Sequence, residues 1–308
     1  MRALRSVLFL AFVLALVLAA ARARATDDFS GTRATGMGDA TRGFAIGDSA
    51  PMVNPSGMSL LKNFQALEGS YGYSSRLHAH TLHASMVDNT SGFGVAGALY
   101  YNFHAAEPGG GVTGRGHEVG LALSVPIVDR ATLGGTVKYL NLSGDDAPGG
   151  HTGGVTFDVG TTVTLLPKLT VAVVGTNLRD LNNSNATQGI GYGVAVMPIE
   201  DLIIAADGLT RLTRDNHTGR KGTGFMVGGE LTLAGKFAVR AGGGYDPTTA
   251  NGYGAIGASA MSEIGAIDAA VRQDLLVHAG SPRDTVATIS LRLFIPAPQP
   301  TLPPPGTL

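Results

Sequence analysis

Three histidines, His78, His80 and His83, fall in one short stretch, and in an extended chain His78 and His80 project from the same side. Two imidazoles on one face are the beginning of a zinc site, which needs further ligands at fixed spacing. Polar histidines at a rim or in an interior account for the cluster better, and no metal or other cofactor is expected. His117, Asp145, His151 and His217 could furnish the Ser-His or Asp-His pair of a hydrolase, but nothing in their spacing fixes a triad. No enzyme is expected. Gly36-Met37-Gly38 has the look of a phosphate loop, yet no buried strand precedes it and no Lys-Ser/Thr follows it. The remaining candidates are charges that recur between apolar residues: Glu68, Glu118, Lys138, Asp158, Asp207, Glu230, Arg240, Asp268, Arg272 and Asp274. On one wall of a lumen they could select solutes, although pairing with one another and with an enclosed segment is the better expectation.

The elements that carry these charges alternate with period two from about Asn63 onward, which is the mark of strands with two different faces. In His117–Val128, residues Val119, Leu121, Leu123, Val125 and Ile127 share one face while Glu118, Gly120, Ala122 and Ser124 share the other. Val155, Phe157, Val159, Val163 and Leu165 likewise oppose Thr156, Asp158, Gly160, Thr162 and Thr164. Phe237, Val239 and Tyr245 oppose Arg240, and Ala287, Ile289, Leu291 and Leu293 oppose Arg292. A Lys or Arg on a lipid-facing side near the bilayer centre costs roughly 2–4 kcal/mol, and the apolar faces are free of charge. The polar face therefore points into a lumen.

Composition agrees. Charged residues make up 15% of the chain and Gly numbers 45, whereas roughly a quarter of the residues of a soluble domain are charged. With no cysteine there is no disulfide framework, so an exported chain must rely on backbone pairing and burial. A formal charge of −1 gives no attraction for nucleic acid. Residues 1–25 read as a signal peptide, with Arg2 and Arg5, an apolar run Val7–Ala20 and the small residues Ala23 and Ala25 before Thr26. Beyond it no apolar stretch reaches the roughly 18 residues of a helical span, so the chain enters a bilayer as strands.

Fourteen such segments are expected, near residues 63–73, 76–87, 91–104, 116–128, 131–142, 153–166, 168–178, 188–198, 201–210, 222–234, 236–246, 251–262, 264–275 and 284–295. An even count suits a bacterial antiparallel up-and-down barrel, and the connections alternate between tight and long as such a barrel requires. Tight turns fall at Asp88 to Thr90, Asp129-Arg130, Pro167-Lys168, Ile199-Glu200, Gly235 and Glu263, and long Gly/Asn/Asp-rich connections at 105–115, 143–152, 179–187 and 211–221. Ser74-Ser75 is a short exception. The chain has no Trp, so aromatic girdles must come from Tyr73, Tyr101, Tyr139, Tyr192, Tyr245 and Tyr253 with Phe103 and Phe225. Residues 296–308 are proline-rich and read as a periplasmic tail.

Residues 26–62 do not alternate. Arg33, Gly36, Met37, Gly38 and Ala40, then Asp48-Ser49-Ala50, then Asn54-Pro55-Ser56-Gly57-Met58 resemble the opening of the FadL-like family of long-chain fatty acid transporters, including its shorter PorV-type branch. Ser56 stands for the usual Ala and Met58 for Leu, and the chain is shorter than the classical transporter. The resemblance implies that residues 26–62 fold inside the barrel of residues 63–295 as a hatch, with Gly36, Gly38, Asp48, Asn54, Pro55 and Gly57 as gating residues. It also implies that apolar, fatty-acid-like molecules pass through the lumen and leave sideways into the bilayer of a Gram-negative outer membrane. Glu68, Glu118, Asp158, Glu230, Arg240, Asp268 and Arg272 would line that lumen. The alternative is a PorV-like barrel that conducts nothing and serves as partner or scaffold in protein secretion. Expected partners are outer-membrane lipid, the barrel assembly machinery, a hydrophobic ligand and, on the second reading, a periplasmic or secretion partner. A barrel of this size encloses more space than small side chains can fill, which argues for an enclosed segment independently of the resemblance.

Overall fold

The computed structural model describes residues 29–91, 94–106, 114–144, 151–182, 186–214, 219–277 and 283–296; the expected signal peptide and most of the proline-rich tail lie outside them. Fourteen strands follow one another: β1 (Phe64–Ser74), β2 (Ala79–Asn89), β3 (Ala96–Ala106), β4 (Gly114–Val128), β5 (Ala131–Gly144), β6 (His151–Leu166), β7 (Leu169–Thr176), β8 (Gly189–Ile199), β9 (Leu202–Arg211), β10 (Thr223–Leu233), β11 (Phe237–Asp246), β12 (Asn251–Ser262), β13 (Gly265–Leu276) and β14 (Thr285–Phe294). Each pairs antiparallel with the next, and β1 pairs with β14, so the sheet closes on itself. Closure leaves no unpaired edge, the condition for strands to lie in hydrocarbon.

The two faces separate as the alternation requires. Val119, Leu121, Leu123, Val125 and Ile127 are exposed on the outside, as are Val155, Phe157, Val159, Ile289, Leu291 and Leu293. Ala122, Ser124, Thr156, Asp158, Thr162 and Ser290 on the same strands are buried inside. Glu68, Asp158, Glu230, Arg240 and Asp268 are buried on the lumen side.

Two strands begin later than the pattern suggests. β2 starts at Ala79 rather than near residue 76, because residues 75–78 form a turn in which His78 is left-handed (φ 47°). β3 starts at Ala96 rather than near 91, because Asp88 accepts from the backbone N–H and hydroxyl of Thr90 and Ser91 donates to the Val95 carbonyl, extending the turn. The register of β4 on β5 shifts at Pro126, which has no N–H to offer the ladder.

Two short helices, α1 (Thr32–Gly36) and α2 (Ala50–Val53), and 3-10 turns at Arg42–Phe44, Gly47–Ser49 and Pro55–Leu60 make up the N-terminal segment. It lies inside the barrel, and no residue from Phe29 to Leu61 is exposed. Two apolar clusters seat it. Ala45, Ala50, Val53 and Met58 pack on Val87, Ala96, Ala98 and Ala122, and Met37 and Ala40 pack on Ala195, Ala205 and Met226.

Candidate functional site: the lumen and the segment that fills it

Where glycine lines the wall, the segment comes up against the strand backbone. A Cβ at Gly228 or Gly242 would run into the Met37 carbonyl, one at Gly134 into Pro55 and Ser56, and one at Gly160 into the Asn54 side chain. Glycine on the lumen face of these strands thus serves close approach, which explains part of the high glycine content. Gly38 (φ +61°) turns the segment against Gly242 and Gly243, where a side chain has no room, and Gly57 does the same against the Ala45 carbonyl.

Asn54 ties the segment to itself and to β6. Its amide nitrogen donates to the Arg42 carbonyl at 3.2 Å and to Thr162 Oγ1 at 3.0 Å. Its oxygen accepts from the Ser56 backbone N–H at 3.3 Å and from the Ser56 hydroxyl at 2.8 Å. Pro55 opens the following 3-10 turn, where its missing N–H is no loss.

A chain of buried charges joins the segment to the opposite wall. Arg33 donates to both carboxylate oxygens of Glu230, at 2.9 and 3.1 Å. Arg240 reaches Glu230 at 2.5 Å and Asp268 at 3.1 Å, and Ser259 also donates to Asp268. Arg292 then links Asp268 at 3.0 Å, Asp48 at 3.1 Å and Glu68 at 3.5 Å. Separate pairs are Arg42–Asp207 at 3.6 Å, Lys138–Asp158 at 2.8 Å and Arg272–Asp39 at 3.0 Å. A guanidinium or carboxylate can stay charged at such depth only because several partners share the desolvation.

The sequence-derived lumen residues therefore divide. Glu68, Asp158, Glu230, Arg240 and Asp268 are buried, and Glu118 and Arg272 are partly so. Glu118 accepts from Tyr100 at 2.6 Å and Asp274 accepts from Asn251 at 2.9 Å. The histidine cluster is dispersed: His78 lies in the turn, His80 faces outward and meets Tyr71 at 2.7 Å, and His83 is buried inside. Among the described residues no group of three His, Asp or Glu side chains is placed to hold a metal. His117 is engaged with Tyr101 at 2.8 Å and His151 is exposed, while Asp145 and His217 lie outside the described residues. Tyr253 does not belong to an aromatic girdle. It points inward, its hydroxyl donating to the Gly38 carbonyl at 3.2 Å with Arg272 over its ring. Period two counted back from the outward Ile256 assigns it inward, a signal that its aromatic character obscures.

Sequence reasoning did not single out Arg292 or Arg42 as site residues, although Arg292 sits on the polar face of β14.

Two cavities lie between the segment and the rim that carries the long connections. The larger, about 140 Å³, is lined by Phe29, Met52, Val53, Leu209, Met226 and Tyr253 together with charged groups such as Glu118 and Lys138. The smaller, about 60 Å³, lies beside β1, β2 and β14, and Phe29, Asp39 and Arg272 border both.

These features define a closed barrel of fourteen strands with its own N-terminal segment seated in the lumen. The fold is shared with FadL-type barrels of known structure. The toluene transporter TodX of Pseudomonas putida superposes with a TM-score of 0.64 at 12% identity, over 89% of this chain and 99% of that one. The toluene transporter TbuX of Ralstonia pickettii gives 0.62 at 12% identity over 88% and 99%. A FadL homologue of Pseudomonas aeruginosa gives 0.61 at 12% over 90% and 100%. No family model and no curated protein matches the sequence.

Proposed function

We propose that the chain is an outer-membrane channel for passive uptake of small hydrophobic molecules, with residues 26–62 as a hatch. The observation that carries this reading is the open-mouthed cavity of about 140 Å³ on the long-loop side of a lumen largely filled by the segment. A cavity of about 150 Å³ has room for benzene; this one is lined by Phe29, Met52, Val53, Leu209 and Met226 as well as by charged residues, and the barrels of the same fold include transporters described as acting on toluene. Entry is from the long-loop rim, and Gly36, Gly38, Asp48, Asn54, Pro55 and Gly57 hold the hatch that blocks a straight path.

Sideways release follows from that block. The larger cavity reaches Asp158, Thr176 and Asn177 at the end of β7, the shortest strand, which stops at Thr176 while β6 continues to His151. There the wall is closed by Leu178 N–H donating to the Phe157 carbonyl at 2.9 Å, Asn177 N–H to Asp158 Oδ1 at 2.8 Å, Thr156 Oγ1 to the Arg179 carbonyl at 2.8 Å, and Arg179 to Thr156 Oγ1 and the Val155 carbonyl at 3.3 and 3.4 Å. These bonds, outside the regular ladder of β6 and β7, are the ones that open for an apolar molecule to pass into lipid.

The test uses the full chain and a Thr26–Lys62 deletion reconstituted in liposomes. The full chain admits toluene and excludes sugars and ions; the deletion leaks all of them. An unchanged leak counts against a hatch. Absence of toluene uptake, with stoichiometric protein partners retained from native membranes, would favour the scaffold reading.

A further inference from the structure

Outside the lumen, one arc of the long-loop rim combines a row of aromatic side chains with a concentration of positive charge. The registers of β8 to β11 line up Tyr192 with Gly208, Gly208 with Phe225 and Phe225 with Tyr245. All three aromatic side chains are exposed on the outer face, and the Tyr192 ring lies over Gly208, so the row is continuous across four strands. Aromatic residues at such a level mark the boundary between acyl chains and headgroups.

Above the row the outer face turns polar and then cationic. Thr210 and Thr223, opposite each other and two residues nearer the rim, bond through their hydroxyls at 2.9 Å. Pairing runs on past the strands, with Arg211 N–H donating to the Gly222 carbonyl at 2.9 Å and Leu212 N–H to the Gln188 carbonyl at 2.8 Å. Period two therefore places Leu212 and Lys221 on the outer side, and both are exposed. Arg214 and Arg220 are exposed beyond them, and Arg214 Nη1 donates to the Gly219 carbonyl at 2.7 Å, drawing the two arms of the connection together. Lys221 lies four residues from Phe225, about 13 Å along a strand and about 10 Å along the membrane normal at the tilt of such barrels. The headgroup layer is roughly 5–8 Å deep on each side of the hydrocarbon, so these cations meet headgroups and not acyl chains.

The charge is local. Residues 211–221 hold four Lys or Arg against one Asp, whereas 105–115 hold one Glu and one Arg, 143–152 two Asp with neither Lys nor Arg, and 179–187 one Arg and one Asp. Of the four cations, Arg211 turns inward, where it lines the larger cavity and donates to Thr187 Oγ1 at 3.2 Å. Three stay outside, on a chain whose formal charge is −1.

We propose that this arc, with Arg214, Arg220 and Lys221 above Tyr192, Phe225 and Tyr245, docks a lipid of the outer leaflet through a phosphate-bearing headgroup. The guanidinium and ammonium groups take the phosphate oxygens, and the aromatic row packs on the upper part of the acyl chains. Long connections of such barrels face the cell exterior, which assigns the lipid to the outer leaflet. The proposal rests on the chain lying in a bilayer and is independent of what the lumen passes.

The chain has no Trp, so Phe225→Trp supplies a single indole within the row. Tyr139→Trp supplies one on the outer face of β5, whose following connection is the acidic 143–152. Each full-length variant is reconstituted in vesicles of brominated phosphatidylcholine, which quenches a neighbouring indole, and unbrominated phosphatidic acid is mixed in. Fluorescence recovered beyond the mole fraction added gives the local preference for the phosphate lipid. In Phe225→Trp phosphatidic acid is expected to be preferred at least about fivefold, the weight of a single Lys or Arg beside an anionic lipid. In Tyr139→Trp the two lipids are expected to be about equal. Adding Arg214→Gln, Arg220→Gln and Lys221→Gln to Phe225→Trp brings its ratio to about one; these side chains are exposed, and quenching in pure brominated phosphatidylcholine verifies that the barrel is inserted. Equal preference at the two positions, or a preference that survives the triple substitution, overturns the docking site and leaves the channel standing. Failure of brominated phosphatidylcholine to quench Phe225→Trp overturns the lipid-facing row itself, and the docking site with it.

Discussion

Replacing Glu230 by alanine tests how the segment is held. Glu230 lies between Arg33 of the segment and Arg240 of the wall, at 2.9 and 2.5 Å. Arg240 keeps Asp268 and Ser259 when Glu230 is gone, but Arg33 keeps only the Phe44 carbonyl at 3.5 Å. Removing one partner of a buried pair costs about 3–5 kcal/mol, because the other charge stays desolvated. Arg33 belongs to the segment, so most of that cost falls on docking rather than on the barrel. At 1.4 kcal/mol per tenfold, the undocked population rises by about two to three orders of magnitude. The chain has no cysteine, so a single Ala40→Cys, fully buried in the docked segment, reports undocking through its rate of maleimide labelling in liposomes. Glu230→Ala is expected to raise that rate at least a hundredfold, and Glu230→Gln, which keeps a hydrogen-bond acceptor, to raise it less. An unchanged rate in Glu230→Ala, with the barrel still resistant to unfolding in cold detergent, refutes the reasoning.

Other consequences follow from the same geometry. Gly228→Val places a side chain on the Met37 carbonyl and is expected to expel the segment, seen as sugar leakage. Gly235→Ala, in a turn with open space at φ +64°, costs only about 1 kcal/mol and leaves permeability unchanged. Leu291→Arg on the lipid face, where Leu291 is 50% exposed, is expected to destabilise the barrel by roughly 2–4 kcal/mol in denaturant titrations from bilayers. A disulfide between cysteines at Thr156 and Arg179 should slow toluene uptake until it is reduced; uptake that ignores it removes the β6–β7 exit.

What the sequence discloses is whatever repeats locally. Val119 to Ile127 and Val155 to Leu165 show their faces by alternation alone, and the Asp129-Arg130 and Pro167-Lys168 turns mark strand ends within a residue or two. That Glu230, Arg240 and Asp268 belong to the lumen follows from parity in the same way. Their partners do not, because closure brings Arg33 to Glu230 across 197 residues and Asn54 to Thr162 across 108. The glycines of β10 and β11 look like weak strand positions until Met37 is seen lying on them. His78 falls outside β2 because a left-handed residue leaves no periodic trace, and Tyr253 turns inward by parity although its aromatic character suits a girdle.

A spin-label scan through Leu121, Ala122, Leu123 and Ser124 of β4 in bilayers goes to the root of the account. Labels at Leu121 and Leu123 should be relaxed by oxygen dissolved in the lipid. Labels at Ala122 and Ser124, whose native side chains are buried against the segment, should be shielded from water-borne nickel until residues 26–62 are removed. Loss of that two-residue rhythm, or nickel reaching position 121 in mid-strand, would contradict a lipid-facing barrel with an occupied lumen.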